Sequence, residues 1–190
     1  MSSLSQRPRD DRLVIGIAGR IGSGKTSAGK YLSSRYGFQY LRYSQVLSEW
    51  LAKEPESKTR LQEIGWEVMA GGMQAELNRR LISQITPHSD VAVDGLRHPV
   101  DYASLRSSFL PSFHLVYIDS PRSDRWERLK SRGGYTDCDS FETANSHPVE
   151  QQIEALRADA AVVISNHRSL EDLYIALDEA IQGFKGEGQT

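Results

Sequence analysis

Apolar residues gather along this chain in five short runs separated by longer amphipathic stretches. The runs are LVIGIA (Leu13–Ala18), FQYLRY (Phe38–Tyr43), VAVD (Val91–Asp94), FHLVYID (Phe113–Asp119) and AAVVIS (Ala160–Ser165). Several are near-continuous rather than alternating, which is how strands covered on both faces read. The stretches between them carry helix punctuation. Thr26–Tyr36 stops at Gly37, a left-handed cap position. Thr59-Arg60-Leu61-Gln62 has the spacing of a capping box and opens a helix that stops at Gly71-Gly72. Pro99, Pro121 and Pro148 each stand where a first helical residue would. Ser169 is placed to cap the last helix, LEDLYIALDEAIQ.

Strand and helix therefore alternate, which predicts right-handed βαβ units and an α/β fold of three α/β/α layers around a five-stranded parallel sheet. Two segments exceed that minimal plan. Ser44–Ile85 holds more helix than one crossover needs, and Gly133–Val149 reads as a polar loop. Both are expected to cover a substrate, as acceptor-binding helices (44–85) and a lid (133–149). Residues 1–11 are expected to be flexible and the KGEGQT end frayed.

At 190 residues the chain fits a single domain able to bury a core without disulfide or structural metal. Net charge is −2 with both signs interspersed, and no basic tract tracks a nucleic-acid backbone. The lone cysteine, Cys138, has no partner for an internal disulfide. The N-terminus lacks an apolar signal region, and the apolar runs are far short of a spanning helix. A cytoplasmic protein with no membrane or nucleic-acid partner is expected. The sequence leaves the oligomeric state open.

The chemistry starts at Gly19-Arg-Ile-Gly22-Ser-Gly24-Lys25-Thr26, an ungapped G-x-x-x-x-G-K-[ST]. A chance match in a chain of this size has odds on the order of one in a hundred, and here a strand precedes it and a helix follows. Gly19 turns the chain off the strand, while Gly22 and Gly24 let backbone N–H groups close around phosphate oxygens. The following helix adds its positive end. Lys25 is expected on the β- and γ-phosphates and the Thr26 hydroxyl on Mg²⁺. Asp94, closing VAVD, is the carboxylate expected to support the metal. Asp119 in YIDS is a rival, although its place before Ser120-Pro121 suits a helix entry better. Arg97, three residues beyond Asp94, either grips a second phosphate or is a solvated loop arginine. Arg125, Arg128 and Arg132 share one helical face, which either lines the transferring phosphates or is a charged solvent face. His98, His147 and His167 sit in loops without metal spacing, and Trp50, Trp66 and Trp126 read as packing residues.

With these residues in view, the chain resembles the P-loop nucleoside and nucleotide kinases, in the branch of adenylate, dephospho-CoA and deoxynucleoside monophosphate kinases. GIAGRIGSGKTSAGKYL resembles that branch's opening strand, loop and helix. GFQYLRYSQVLSEWL is similar to its second strand and first acceptor helix, and TRLQEIGWEVMAGG to a segment common in the deoxynucleotide kinases. VAVDGLRHPVDYASLR is similar to its strand-Asp-Gly-x-Arg-x-Pro segment, and VVISNHRSLEDL to its last strand and adenine-side loop. The resemblance covers roughly residues 12–182 and implies a P-loop NTPase fold using ATP and Mg²⁺. It implies that Gly22, Ser23, Gly24, Lys25, Thr26 and Ser27 bind the ATP phosphates and metal, with Asp94 supporting Mg²⁺. By the same resemblance Arg97, Arg42, Ser44 and Arg60 contact the acceptor. Arg128 or Arg132 flanks the donor, and Asn166 and His167 lie near the adenine.

One departure stands out. Related kinases carry lid arginines, whereas FETANSHPVEQQ (Phe141–Gln152) has none. Phosphoryl transfer is mostly positioning and charge neutralisation, so this loss should cost rate unless Arg125, Arg128 or Arg132 substitutes. The expected function is transfer of the γ-phosphoryl of ATP to a small acceptor, a nucleoside or deoxynucleoside monophosphate. The alternatives are a dephospho-CoA kinase-like activity, disfavoured because YLRYS offers no carboxylate base, a slow NTPase switch, or a catalytically weak nucleotide-binding regulatory protein.

Overall fold

The five apolar runs form β1 (Val14–Ala18), β2 (Gln39–Arg42), β3 (Val91–Asp94), β4 (Phe113–Asp119) and β5 (Val162–Ser165). They make one parallel sheet in the order β2-β3-β1-β4-β5. The computed structural model describes residues 12–51, 58–135 and 137–187, with the side chains of 58–61 and 187 outside that set. Every residue of the two central strands β1 and β3 is buried, which accounts for their unbroken apolar character. The register sets Ile17 and Arg42 level with Asp94, so β1, β2 and β3 end together at the edge where open α/β sheets bind ligands.

The helices are α1 (Lys25–Tyr36), α2 (Tyr43–Leu51), α3 (Lys58–Ala70), α4 (Gln74–Ser83), α5 (Pro99–Phe109), α6 (Arg122–Ser131), α7 (Cys138–Asn145), α8 (Pro148–Ala155) and α9 (Leu170–Glu187). Strand alternation splits the core in two. Ile15, Ile17, Val116 and Ile118 pack with Leu32 of α1 and Leu173 and Leu177 of α9. Val14, Val93, Leu115 and Tyr117 pack on the opposite face with α2, α4, α5 and α8. Three layers result, as the alternation predicts. A smaller cluster joins Leu129, Tyr135, Phe141 and Ala144 to Ile21 and Trp126, seating α6 and α7 beside the β1–α1 loop.

Gly37 closes α1 in the left-handed conformation, as its position implies. Ser169 caps α9 in a reciprocal box, its Oγ accepting the Asp172 amide and the Asp172 carboxylate accepting the Ser169 amide, both at 3.1 Å. Several local expectations are corrected. Pro99 and Pro148 are first helical residues, but Pro121 is the residue before α6. Gly133–Val149 is mostly not loop, since α7 fills it and α8 begins at Pro148. Thr59 lies inside α3 rather than at its cap, and Gln62 donates to the Ala144 carbonyl at 3.2 Å instead of reaching back. Helix α9 runs through Lys185–Glu187, so half of the expected frayed end is helical. The flexible N-terminus at 1–11 and residues 188–190 fall outside the described residues.

Gly29 sits inside α1 facing Tyr40 of β2, and a Cβ there would meet the Tyr40 ring at 2.2 Å. Gly to Ala within a helix ordinarily gains about 1 kcal/mol. At this site overpacking reverses the sign. Gly29→Ala is expected to lose about 1–3 kcal/mol, seen as a fall in Tm of about 2–4 °C per kcal/mol. A Tm at or above wild type would show that the ring moves aside freely.

Candidate functional site

The loop Gly19–Gly24 leaves β1 and enters α1. Gly24, at φ 109°, has no room for a side chain, because a Cβ would lie 2.5 Å from the Asn166 amide nitrogen. That amide donates to the Ser23 carbonyl at 2.8 Å, so Asn166 buttresses the loop from β5. The Lys25 ammonium donates to the carbonyls of Gly19 (2.6 Å) and Arg20 (3.0 Å). Burial lowers its pKa, against the opposing pull of the Asp94 and Glu150 carboxylates. The Ser23 hydroxyl is buried without a hydrogen-bond partner among the described residues. A buried cation and loop amides gathered at a helix N-terminus are the donor set of an anion site, so ATP phosphates fit it.

Beside the loop, Asp94 is 5% exposed and its Oδ2 accepts the Thr26 hydroxyl at 3.0 Å and the Tyr40 hydroxyl at 2.7 Å. Burial and the neighbouring carboxylate push the Tyr40 phenol pKa up, so Tyr40 stays a donor. Thr26 itself is exposed. The pair fits a hydrated Mg²⁺. Among the described residues no three His, Cys, Asp or Glu side chains converge on a metal position, so a cation here would draw its other ligands from phosphate and water. The expected pairing of Thr26 with Asp94 is thus met in geometry, while Asp119 is occupied by Arg157 at 3.0 Å.

The arginines of α6 have separate places. Arg125, 3% exposed, donates to the carbonyls of Ser120 and Ile21 (both 3.1 Å) and to Asn145 Oδ1 (2.9 Å). Arg128 donates to Ser120 Oγ (2.9 Å) and the Asn166 carbonyl (2.8 Å). Arg132 is the exposed residue that ends the helix. His167 is exposed, with its Nδ1 2.8 Å from Ser165 Oγ. Ser27 lies in the first turn of α1.

Sequence reading missed the contacts that α7 and α8 make with the loop. Glu150, 2% exposed, accepts the Ile21 amide at 3.0 Å, and Arg20 donates to the Asn145 carbonyl at 2.8 Å. His98 and His147, read from the sequence as loop residues without metal spacing, are helix caps whose Nδ1 atoms accept the amides of Val100 (3.1 Å) and Val149 (3.2 Å).

Next to the loop lies a small cavity between α2, α3, α4 and the β3–α5 turn. Ser44, Gln74, Arg97 and Asp101 bring polar groups to it, and Leu47 and Met69 are among its apolar lining. Ser44 and Arg97 line this same cavity. Arg42 is exposed at the end of β2 and does not line the cavity. The side chain of Arg60 lies outside the described residues.

Residues 15–146 match the family model of the AAA domain. The chain belongs to that family. A UPF0200 protein of Pyrobaculum aerophilum is 28% identical over 173 residues, covering 84% of this chain and 91% of that protein. Another, from Methanoculleus marisnigri, is 31% identical over 127 residues, covering 63% and 67%. Among solved structures, APS kinase from Mycobacterium tuberculosis in complex with AMPPNP and APS is similar at TM-score 0.61 and 16% identity, over 90% of this chain and 98% of that one. Shikimate kinase from Acinetobacter baumannii in complex with shikimate gives 0.59 and 18%, over 90% and 94%. The fold is that of the P-loop kinases, and no described helix is long and apolar enough to cross a membrane.

Asp94→Asn keeps an oxygen for the two hydroxyls and removes the charge. It is expected to weaken Mg·ATP binding by about tenfold, roughly 1.4 kcal/mol, and to leave ATP binding in EDTA unchanged. Calorimetric titrations with and without Mg²⁺ check this, and equal loss in both would take Asp94 out of the metal role.

Proposed function

We propose that this protein is a kinase moving the γ-phosphoryl of Mg·ATP to a small acceptor, a nucleoside or deoxynucleoside monophosphate. One observation carries the reading. The segment Asp94–Arg97 touches both halves of the site, with Asp94 on the phosphate-loop Thr26 at 3.0 Å and Arg97 in the neighbouring cavity wall. A donor phosphate in the loop and an acceptor phosphate on Arg97 would then approach across one turn of chain.

In the transfer, an acceptor phosphate oxygen attacks the γ-phosphorus in line, the bond to the β,γ-bridging oxygen breaks, and ADP leaves. The attacking oxygen is already anionic, so no general base is needed. Bound Mg²⁺ would neutralise phosphate charge, held by Thr26 and Asp94. Lys25 stabilises charge on the β- and γ-phosphates, Gly22–Ser27 supply amides and hydroxyls, and Arg97 and Ser44 hold the acceptor. Arg128 or Arg132 flanks the donor, and Asn166 and His167 border the adenine. A hydroxyl acceptor such as dephospho-CoA would want a base near Arg42–Ser44, where the chain has none.

A second reading, a nucleotide-binding regulatory protein with weak transfer, has its own support. Arg125 and Arg128 are engaged with the chain's own oxygens, and Phe141–Gln152 supplies no arginine. ADP release measured against nucleoside monophosphates, deoxynucleotides and dephospho-CoA separates the two. The first reading expects one monophosphate to raise release above the water background. Lys25→Ala should then lower turnover by about 10²-fold or more. No rise with any acceptor would leave the regulatory reading standing. Arg97→Ala should raise the acceptor KM about tenfold while sparing ATP affinity. A matching loss of ATP affinity would remove Arg97 from the acceptor side.

A further inference from the structure

One wall of the cavity carries a polar cluster that the transfer chemistry does not use. At its centre Asp101 is 1% exposed and its carboxylate accepts four hydrogen bonds. Oδ2 takes the backbone amides of Arg97 and His98, each at 3.0 Å. Oδ1 takes Gln74 Nε2 at 2.5 Å and Asn78 Nδ2 at 3.0 Å. Asn78 is also fully engaged, donating to the Gln74 carbonyl at 2.9 Å and accepting the Tyr43 hydroxyl.

This arrangement fixes the orientation of one amide. A carboxylate only accepts, so Gln74 must turn its NH₂ group toward Asp101. Flipping it would set the Gln74 oxygen against the carboxylate. The carbonyl Oε1 therefore points away from Asp101 and stays open to water. Gln74 is 9% exposed and lines the cavity together with Arg97. A carbonyl held at a fixed angle in a cavity wall can exchange its water for a ligand's N–H donor. Leu47, Met69, Leu77 and Val149 make the surroundings apolar, suited to the faces of a ring.

We propose that Gln74 is a specificity-determining residue of the acceptor site. Its clamped carbonyl selects an acceptor whose base carries an N–H donor, while Arg97 takes that acceptor's phosphate. This inference rests on the kinase reading above. Asp101 and Asn78 act through Gln74 and are positioning residues.

The test takes the monophosphate that wild type turns over fastest and compares it with the same nucleotide lacking the donor. The partner is purine riboside monophosphate for adenylate, the N3-methyl compound for uridylate or thymidylate, the amino-deleted nucleotide for cytidylate, and the amino-deleted, N1-methylated nucleotide for guanylate. Wild type should favour the donor-bearing acceptor by about 10–100-fold in kcat/KM. Gln74→Leu should lose that preference by slowing the donor-bearing acceptor alone, with ATP affinity unchanged. Equal use of both nucleotides by wild type would overturn the proposal without any variant having to fold. So would a preference that persists in Gln74→Leu. Turnover of no monophosphate at all would instead bring down the kinase reading, and this inference with it.

Discussion

Asp94 buries its carboxylate at the end of β3 and there accepts hydroxyls from two other elements, Thr26 of α1 and Tyr40 of β2. A carboxylate removed from water is costly unless donors and a countercharge replace the solvent. The two hydroxyls provide the donors, and the Lys25 ammonium supplies the countercharge. Much of the site follows from this one arrangement. Tyr40 reaches Asp94 only because Gly29 leaves space for its ring against α1. Gly95, at φ 93°, then turns the chain sharply, and Arg97 enters the cavity wall two residues later. The anchoring of the phosphate loop and the placement of Arg97 are consequences of the same turn.

The opposite side of the loop is organised by a different set of charges. The Ile21 peptide is gripped from both ends, its amide by Glu150 and its carbonyl by Arg125. Asn145 lies between them, accepting Arg20 on its carbonyl and Arg125 on its side chain. These contacts hold the first half of the loop, ahead of Gly22, and the Ser23 amide closes back on it by donating to the Arg20 carbonyl at 3.1 Å. They also explain why arginines on α6 need not be solvent-exposed ornaments. Arg125 is a structural brace for the loop, and Arg128 braces the β5 end through Asn166. A carboxylate stands at Glu150, on the segment where the resemblance to nucleotide kinases implies arginine. Two carboxylates, Asp94 and Glu150, therefore act on the Lys25 ammonium.

The donor half of the site was legible in the sequence because its determinants are local. Glycines at fixed offsets, a Lys-Thr pair and an Asp ending an apolar run sit within short windows, and the sheet follows from apolar periodicity. The cavity wall was not legible, because Gln74, Asn78 and Asp101 meet across 23–27 residues of chain. No local spacing announces such a contact. Helix α7 was missed for another reason: its polar composition reads as loop. Pro148 marked the start of α8, but the cap there is His147, a residue type with little capping preference. His98 does the same for α5. Gln62 misled in the reverse sense. Its capping-box spacing is real, yet its amide finds the Ala144 carbonyl across the site.

The two halves also differ in how firmly they are held. Between α3 and the α7–α8 segment run the Gln62 hydrogen bond to Ala144 and the edge-on pairing of Trp66 with His147 at 5.5 Å, each worth about 1 kcal/mol. Freeing Asp94 from Thr26 and Tyr40 would strand a buried carboxylate, a change of about 3–5 kcal/mol. The phosphate loop and the end of β3 that braces it are therefore the firmly held part of the site, because their contacts satisfy a buried charge and not only neutral groups.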